Sequence, residues 1–140
     1  MSKFHVKLDT EVRDKDLQQN LIIVGGPIVN KITERINKHL PIRFEKEQQW
    51  SIYSTLSRNL YPEDEAGLIV SVENPLVKSK HLLVVAGKRY SGTRAAIIAF
   101  LKHFKQIESG NVHQSNVNAK VVEGIDLDSD GIIDDVEFRE

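Results

Sequence analysis

At 140 residues the chain is the size of one ordinary domain, long enough to bury a core without disulfide or metal staples. Hydrophobic residues make up 40% and charged residues 28%, the balance of a soluble globular protein, and a net charge of −1 offers no basic surface of the kind nucleic acid requires. Cysteine is absent, which excludes disulfides, thiolate metal sites and cysteine nucleophiles.

The opening MSKFHVKLDTEVRDKD lacks the apolar centre of a secretory signal, and no apolar run approaches a membrane span. The expectation is a cytoplasmic chain that inserts into no membrane, or alternatively an excised piece of a longer exported cell-surface protein. FHVKLDTEV alternates apolar and polar residues and predicts a half-buried edge strand. In NLIIVGGP, Leu21 to Val24 is a continuous apolar run that predicts a strand buried on both faces. IVNKITERINKHLP follows with Ile28, Val29, Ile32, Ile36 and Leu40 at helical spacing, Pro27 in the first turn and Pro41 past the end.

Residues 42–76 read as strands separated by turns: IRFE, WSIYSTL and AGLIVSVENP. HLLVVAG then repeats the buried-strand pattern, KRYSG is a loop, and TRAAIIAFLKHFKQI is a helix that Gly110 can close. Its stripe Ile97, Ile98, Leu101 and Phe104 is expected to pack in the core. NVHQSNVN is a polar connector, and AKVVEGI is a last strand. Two strand–glycine loop–helix units require crossovers and hence parallel strands. The fold class is therefore α/β: one layered domain over 1–140, with a mixed, partly parallel sheet and two main helices. The middle segment is expected to add antiparallel edge strands.

The stretch GIDLDSDGIIDDVE carries the sharpest chemical signal. From Asp126 onward there are seven acids against one base, and D-x-D-x-D-G-x5-E is met by Asp126, Asp128, Asp130, Gly131 and Glu137. Calcium takes six to eight oxygens, and alternate residues of a tight loop can turn carboxylates inward. Gly131 permits the sharp turn, the carbonyl of Ile132 supplies a further oxygen, Asp134 acts through water and Glu137 closes the shell. Ile133 is apolar, as an anchor to the protein should be. The spacing thus predicts an EF-hand-like calcium loop at 126–137. The strand before it and the three residues after it do not supply the helix pair of a calcium switch, so the ion is expected to be structural.

Two glycine loops are the other candidates. GKRYSGTR, Gly87 to Arg94, partly matches a phosphate loop, but Thr93 stands where the phosphate-binding lysine belongs, which argues against nucleotide hydrolysis. If Leu21–Val24 and Leu82–Val85 are parallel neighbours, Gly25–Pro27 and Gly87–Thr93 share one edge of the sheet. Gly26, Gly92 and Thr93 would then line a cleft for a small anion. The five histidines are scattered, and none has a nucleophile beside it in sequence.

Val24–Asn30 (V-G-G-P-x-V-N), Asn74–Pro75, Ala86–Ala96 (A-G-x-x-x-x-G-T-x-A-A) and the terminal aspartate loop occur in an order that resembles the C-terminal region of archaeal S-layer and S-layer-like proteins. The resemblance runs from about Asn20 to the end. It implies an archaeal source, a surface-layer-type domain and no established enzyme activity. The resulting expectation is a non-enzymatic structural or interaction module, with a calcium ion and self-association as its partners. The alternative is a binding domain for a small anionic ligand between the glycine loops.

Overall fold

The structure, a computed structural model, describes residues 5–140. Its main sheet has five strands: β1 (Leu21–Val24), β5 (Ala66–Glu73), β6 (His81–Gly87), β7 (Asn118–Ile125) and β8 (Asp135–Phe138), in the order β1-β6-β5-β7-β8. β1 and β6 are parallel, with Leu21 opposite Leu82 and Val24 opposite Val85, and the remaining pairs are antiparallel. A second sheet holds β2 (Ile42–Glu45), β3 (Ser51–Ser54) and β4 (Leu60–Tyr61). Helices α1 (Lys31–Ile36), α2 (Tyr90–Lys102) and α3 (Phe104–Glu108) complete the chain. The mixed, partly parallel α/β sheet is the one anticipated from the sequence.

The main sheet is covered on both faces. On one side Ile23, Leu68, Val70, Leu82, Val84 and Val121 meet Ile42, Phe44 and Ile52 of the second sheet, together with Ile36 and Leu40. On the other side Ile69, Val85 and Val122 meet Ala95, Ala96 and Ala99 of α2. Small residues on that helix face let α2 lie close to the strands.

Several expectations are corrected. The segment 42–76 does not add edge strands to the main sheet: β5 is its central strand, buried from Ala66 to Val70, and β2–β4 form a sheet of their own. β1 is an edge strand with one exposed face, since Ile22 is 62% and Val24 49% exposed. The helical stripe is likewise not core, because Leu101 is 74% and Phe104 47% exposed while the alanines face the sheet. Phe4 of the anticipated first strand lies outside the described residues, and from His5 onward the segment is not a strand. Glu11 accepts the Leu8 N–H at 2.8 Å and Asp16 accepts the Arg13 N–H at 2.9 Å, so local side chains satisfy the backbone in tight turns.

The helix after Pro27 starts later than its apolar spacing indicates. Asn30 caps it, its Oδ1 accepting the N–H groups of Ile32 (2.9 Å) and Thr33 (3.3 Å), which leaves Ile28 and Val29 exposed in the preceding turn. Among the described residues no helix is long and apolar enough to cross a membrane.

Candidate functional site

Residues 126–134 join β7 to β8 as the tip of an antiparallel hairpin. Within that tip one carboxylate oxygen from each of Asp126, Asp128 and Asp130 lies within 4.8 Å of the other two. Two oxygens on opposite sides of a calcium ion are about 4.6–5.2 Å apart, given bond lengths of roughly 2.3–2.6 Å, so the three groups sit within one coordination sphere. All are hard oxygen donors, the type that suits hard divalent cations as a class.

The backbone builds this convergence. Asp126 accepts the N–H groups of Gly131 (2.7 Å) and Asp130 (3.2 Å), and Asp130 accepts that of Ile132 (2.8 Å). Ser129 and Gly131 have φ of +60° and +86°, the left-handed turns that let alternate side chains face inward. Desolvation raises both Asp126 and Asp128, but backbone N–H groups, Gly131 foremost, outweigh it and bring Asp126 below its ordinary pKa. Asp128, which hydrogen-bonds with Asp126, stays above its own. Two adjacent carboxylates resist ionising together, which is consistent with the opposite directions of the two shifts.

The other expected ligands lie outside this three-carboxylate cluster. Asp134 accepts the Leu127 N–H at 2.9 Å, and Ile132 is 53% exposed. Glu137 lies in β8 opposite Glu123, on a strand where an EF-hand has its second helix. Ile133 is the anchor its character suggests. It packs against the α2-side core and sits over Gly124, where a Cβ would meet its side chain at 2.8–3.0 Å. Helix α2 fastens the second half of the loop: Arg94 Nε donates to the Ile133 carbonyl at 2.7 Å and Lys102 Nζ to the Asp134 carbonyl at 2.9 Å. His103 Nε2 meets Asp135 Oδ1 at 2.8 Å, and this bond foremost holds the Asp135 carboxyl below its usual range.

The two glycine loops do share one edge of the sheet, as the parallel pairing of β1 and β6 requires. The space between them is closed by main chain. Gly26 lies against the Gly87 carbonyl, Gly87 against Gly92, and Gly92 against the Ala66 carbonyl. Thr93 Oγ1 is taken by the Gly87 N–H at 2.9 Å. Tyr90 does not fill the gap, being 80% exposed. Gly26 and Gly92 therefore pack against main chain, because only a residue without Cβ admits such close approach of backbones, while Thr93 is engaged by its hydrogen bond from Gly87.

Asn30 and Asn74 also have structural partners. Asn30 caps α1, and Asn74 Nδ2 donates to the carbonyls of Leu17 (3.0 Å) and Gln19 (2.9 Å), tying the N-terminal segment to the end of β5. Ser71 Oγ and His81 Nε2 are 2.7 Å apart across β5 and β6, a pair that sequence distance concealed. Among the described residues no carboxylate is hydrogen-bonded to His81.

A protein of Methanocaldococcus jannaschii described as uncharacterised is 27% identical over 107 residues, covering 76% of this chain and 22% of that protein. The chain thus spans about a fifth of the length of that archaeal relative. No solved structure matches. The family described as "S-layer like family, outer domain" matches residues 3–104, a span that includes the three glycine- and asparagine-bearing motifs and stops before the acidic loop. On that match over most of its length, the chain belongs to the S-layer-like family, as an outer domain.

Proposed function

We propose that the protein is a non-enzymatic structural and interaction module of a cell-surface layer, stabilised by a calcium ion held in the 126–137 loop. Family membership supports the structural role. One observation carries it further: Gly26, Gly87 and Gly92 of the shared motifs pack main chain against main chain, and Asn30 and Asn74 are engaged in capping and tethering. Self-association through exposed surface and a place in an exported cell-surface protein are part of the same reading.

In the proposed site Asp126, Asp128 and Asp130 supply carboxylates, with the Ile132 carbonyl, Asp134 and Glu137 completing the shell. The ion would neutralise three acids that otherwise repel one another, so its stabilisation is electrostatic and acts on the hairpin tip. At free calcium 100 times Kd, linkage raises stability by about 2.7 kcal/mol. For a domain of this size that is a rise in melting temperature of roughly 8–10 °C. Calorimetric titration of metal-stripped protein should show one calcium bound, and Asp128→Ala or Glu137→Gln should remove most of the thermal gain. Equal melting temperatures in EDTA and in calcium would refute the reading.

A further inference from the structure

The most heavily bonded side chain in the described structure is remote from the motifs. Glu140 is 3% exposed. Its Oε1 accepts from Ser57 Oγ (2.5 Å) and Tyr61 OH (2.6 Å), and its Oε2 from Ser54 Oγ (2.8 Å) and Asn111 Nδ2 (3.0 Å). Burial alone would raise this carboxyl, but the four donors together bring it below its ordinary pKa. All four donors are neutral. Ser54 and Tyr61 belong to β3 and β4 of the second sheet, Ser57 to the turn between them, and Asn111 to the loop after α3.

Lys120 is buried nearby with its amine over the Phe138 ring, and among the described residues Glu140 forms no ion pair with it. Arg139 lies over the Tyr61 ring. The cradle is thus a dedicated carboxylate site built from dipoles.

Besides Glu140, β8 and the residues after it are held by pairing with β7, by His103 on Asp135 (2.8 Å) and by Arg139 on Glu123 (3.0 Å), and neither of these side-chain contacts is fully buried. β8 is four residues long and pairs only with β7. Val136 and Phe138 are only partly buried against the α2 side of the sheet. A short edge strand with half-exposed side chains belongs to the low-stability end of a fold, and its opening is governed by whichever contact concentrates most free energy. Here that contact is a buried charge on the opposite face of the sheet, in a different layer.

We propose that β8 and the residues following it form a strap that opens and closes as one unit over the edge of β7, with the Glu140 carboxylate as its latch in the second sheet. Closed, the strap joins the main sheet to β3 and β4. Open, it bares the outer edge of β7 and withdraws Phe138 from α2, leaving the rest of both sheets in place. Because Glu137 of β8 belongs to the proposed calcium shell, the strap is defined for the cation-free protein.

Hydrogen–deuterium exchange in calcium-free buffer tests it, comparing wild type with Glu140→Gln. Replacing one carboxylate oxygen by an amide turns an acceptor of two donors into a donor, and hydrogen bonds to a charged group are among the stronger ones. Amides of Val121 and residues 136–140 should exchange at least about tenfold faster, with β5, β6 and α2 unchanged. The double variant Ser57→Ala, Tyr61→Phe, which keeps Glu140, should give the same regional pattern. Should Glu140→Gln not fold, Tyr61→Phe alone is read the same way. Unchanged exchange in β8, or acceleration spread equally over β5 and β6, would overturn the strap.

Discussion

Gly87→Ala is expected to lower stability by about 3 kcal/mol and the melting temperature by about 10 °C. A Cβ at Gly87 would lie 2.5 Å from both the Cα of Gly92 and the amide nitrogen of Thr93, atoms of the α2 main chain that cannot rotate aside. Introducing a methyl group into well-packed surroundings typically costs about 1–3 kcal/mol and sometimes more, and backbone obstruction belongs at the upper end. Relief of the entropy cost of glycine in a strand returns only about 0.5–1 kcal/mol, so overpacking wins.

The damage spreads along a continuous seam. Gly26 rests on Gly87, Gly87 on Gly92, and Gly92 on Ala66, so lifting α2 also loosens Ala95, Ala96 and Ala99 from the sheet. Thermal denaturation of the variant is the measurement. If the loops instead served a ligand, the alanine would impair binding and leave the melting temperature near that of wild type, and that result would sink the packing account.

The seam also explains what could be read in advance. β6 was legible to the residue, because HLLVVAG is a short apolar run closed by glycine, and its partnership with β1 followed from two strand–glycine–helix units in succession. The glycines themselves were ambiguous. A close backbone approach and an anion cradle need the same missing Cβ, and only the third dimension tells which one occupies the space.

Apolar character misled where it decided burial. Leu101 and Phe104 keep helical spacing with the core, yet Ala95, Ala96 and Ala99 own the sheet-facing side of α2, because small residues allow the closer helix. Ile22 and Val24 look like the inner face of a doubly covered strand, but β1 stands at the edge, a position no local pattern records. The aspartate spacing of the loop was visible from sequence since its geometry is local. The Glu140 cradle was not, because three of its four donors lie 79 to 86 residues away and are ordinary serines and a tyrosine.

The largest effect is expected at Phe44, which is 2% exposed and lies between the two sheets among Ile42, Ile52, Leu68 and Val70. β2 is an edge strand of the second sheet, and its outer backbone at this position is completed by a side chain. Asn37 Oδ1 accepts the Phe44 N–H at 2.8 Å, and Asn37 Nδ2 donates to its carbonyl at 2.7 Å. The ring is thereby fixed in register from both directions, and the site has little freedom to collapse around a smaller residue. Phe44→Ala should cost about 3–5 kcal/mol, the lost transfer free energy of the ring plus the cavity it leaves, whereas Phe44→Leu should cost less than about half of that. Denaturant unfolding monitored by far-UV circular dichroism distinguishes the two, with the midpoint shifting at nearly constant slope. The same pair of variants separates core from loop. The hairpin tip at 126–134 makes no hydrogen bond to β2, and distant sites contribute additively. The calcium increment proposed for wild type should therefore persist in Phe44→Ala at its full size. Loss of that increment would mean that the cation acts through the inter-sheet core and not at the hairpin tip.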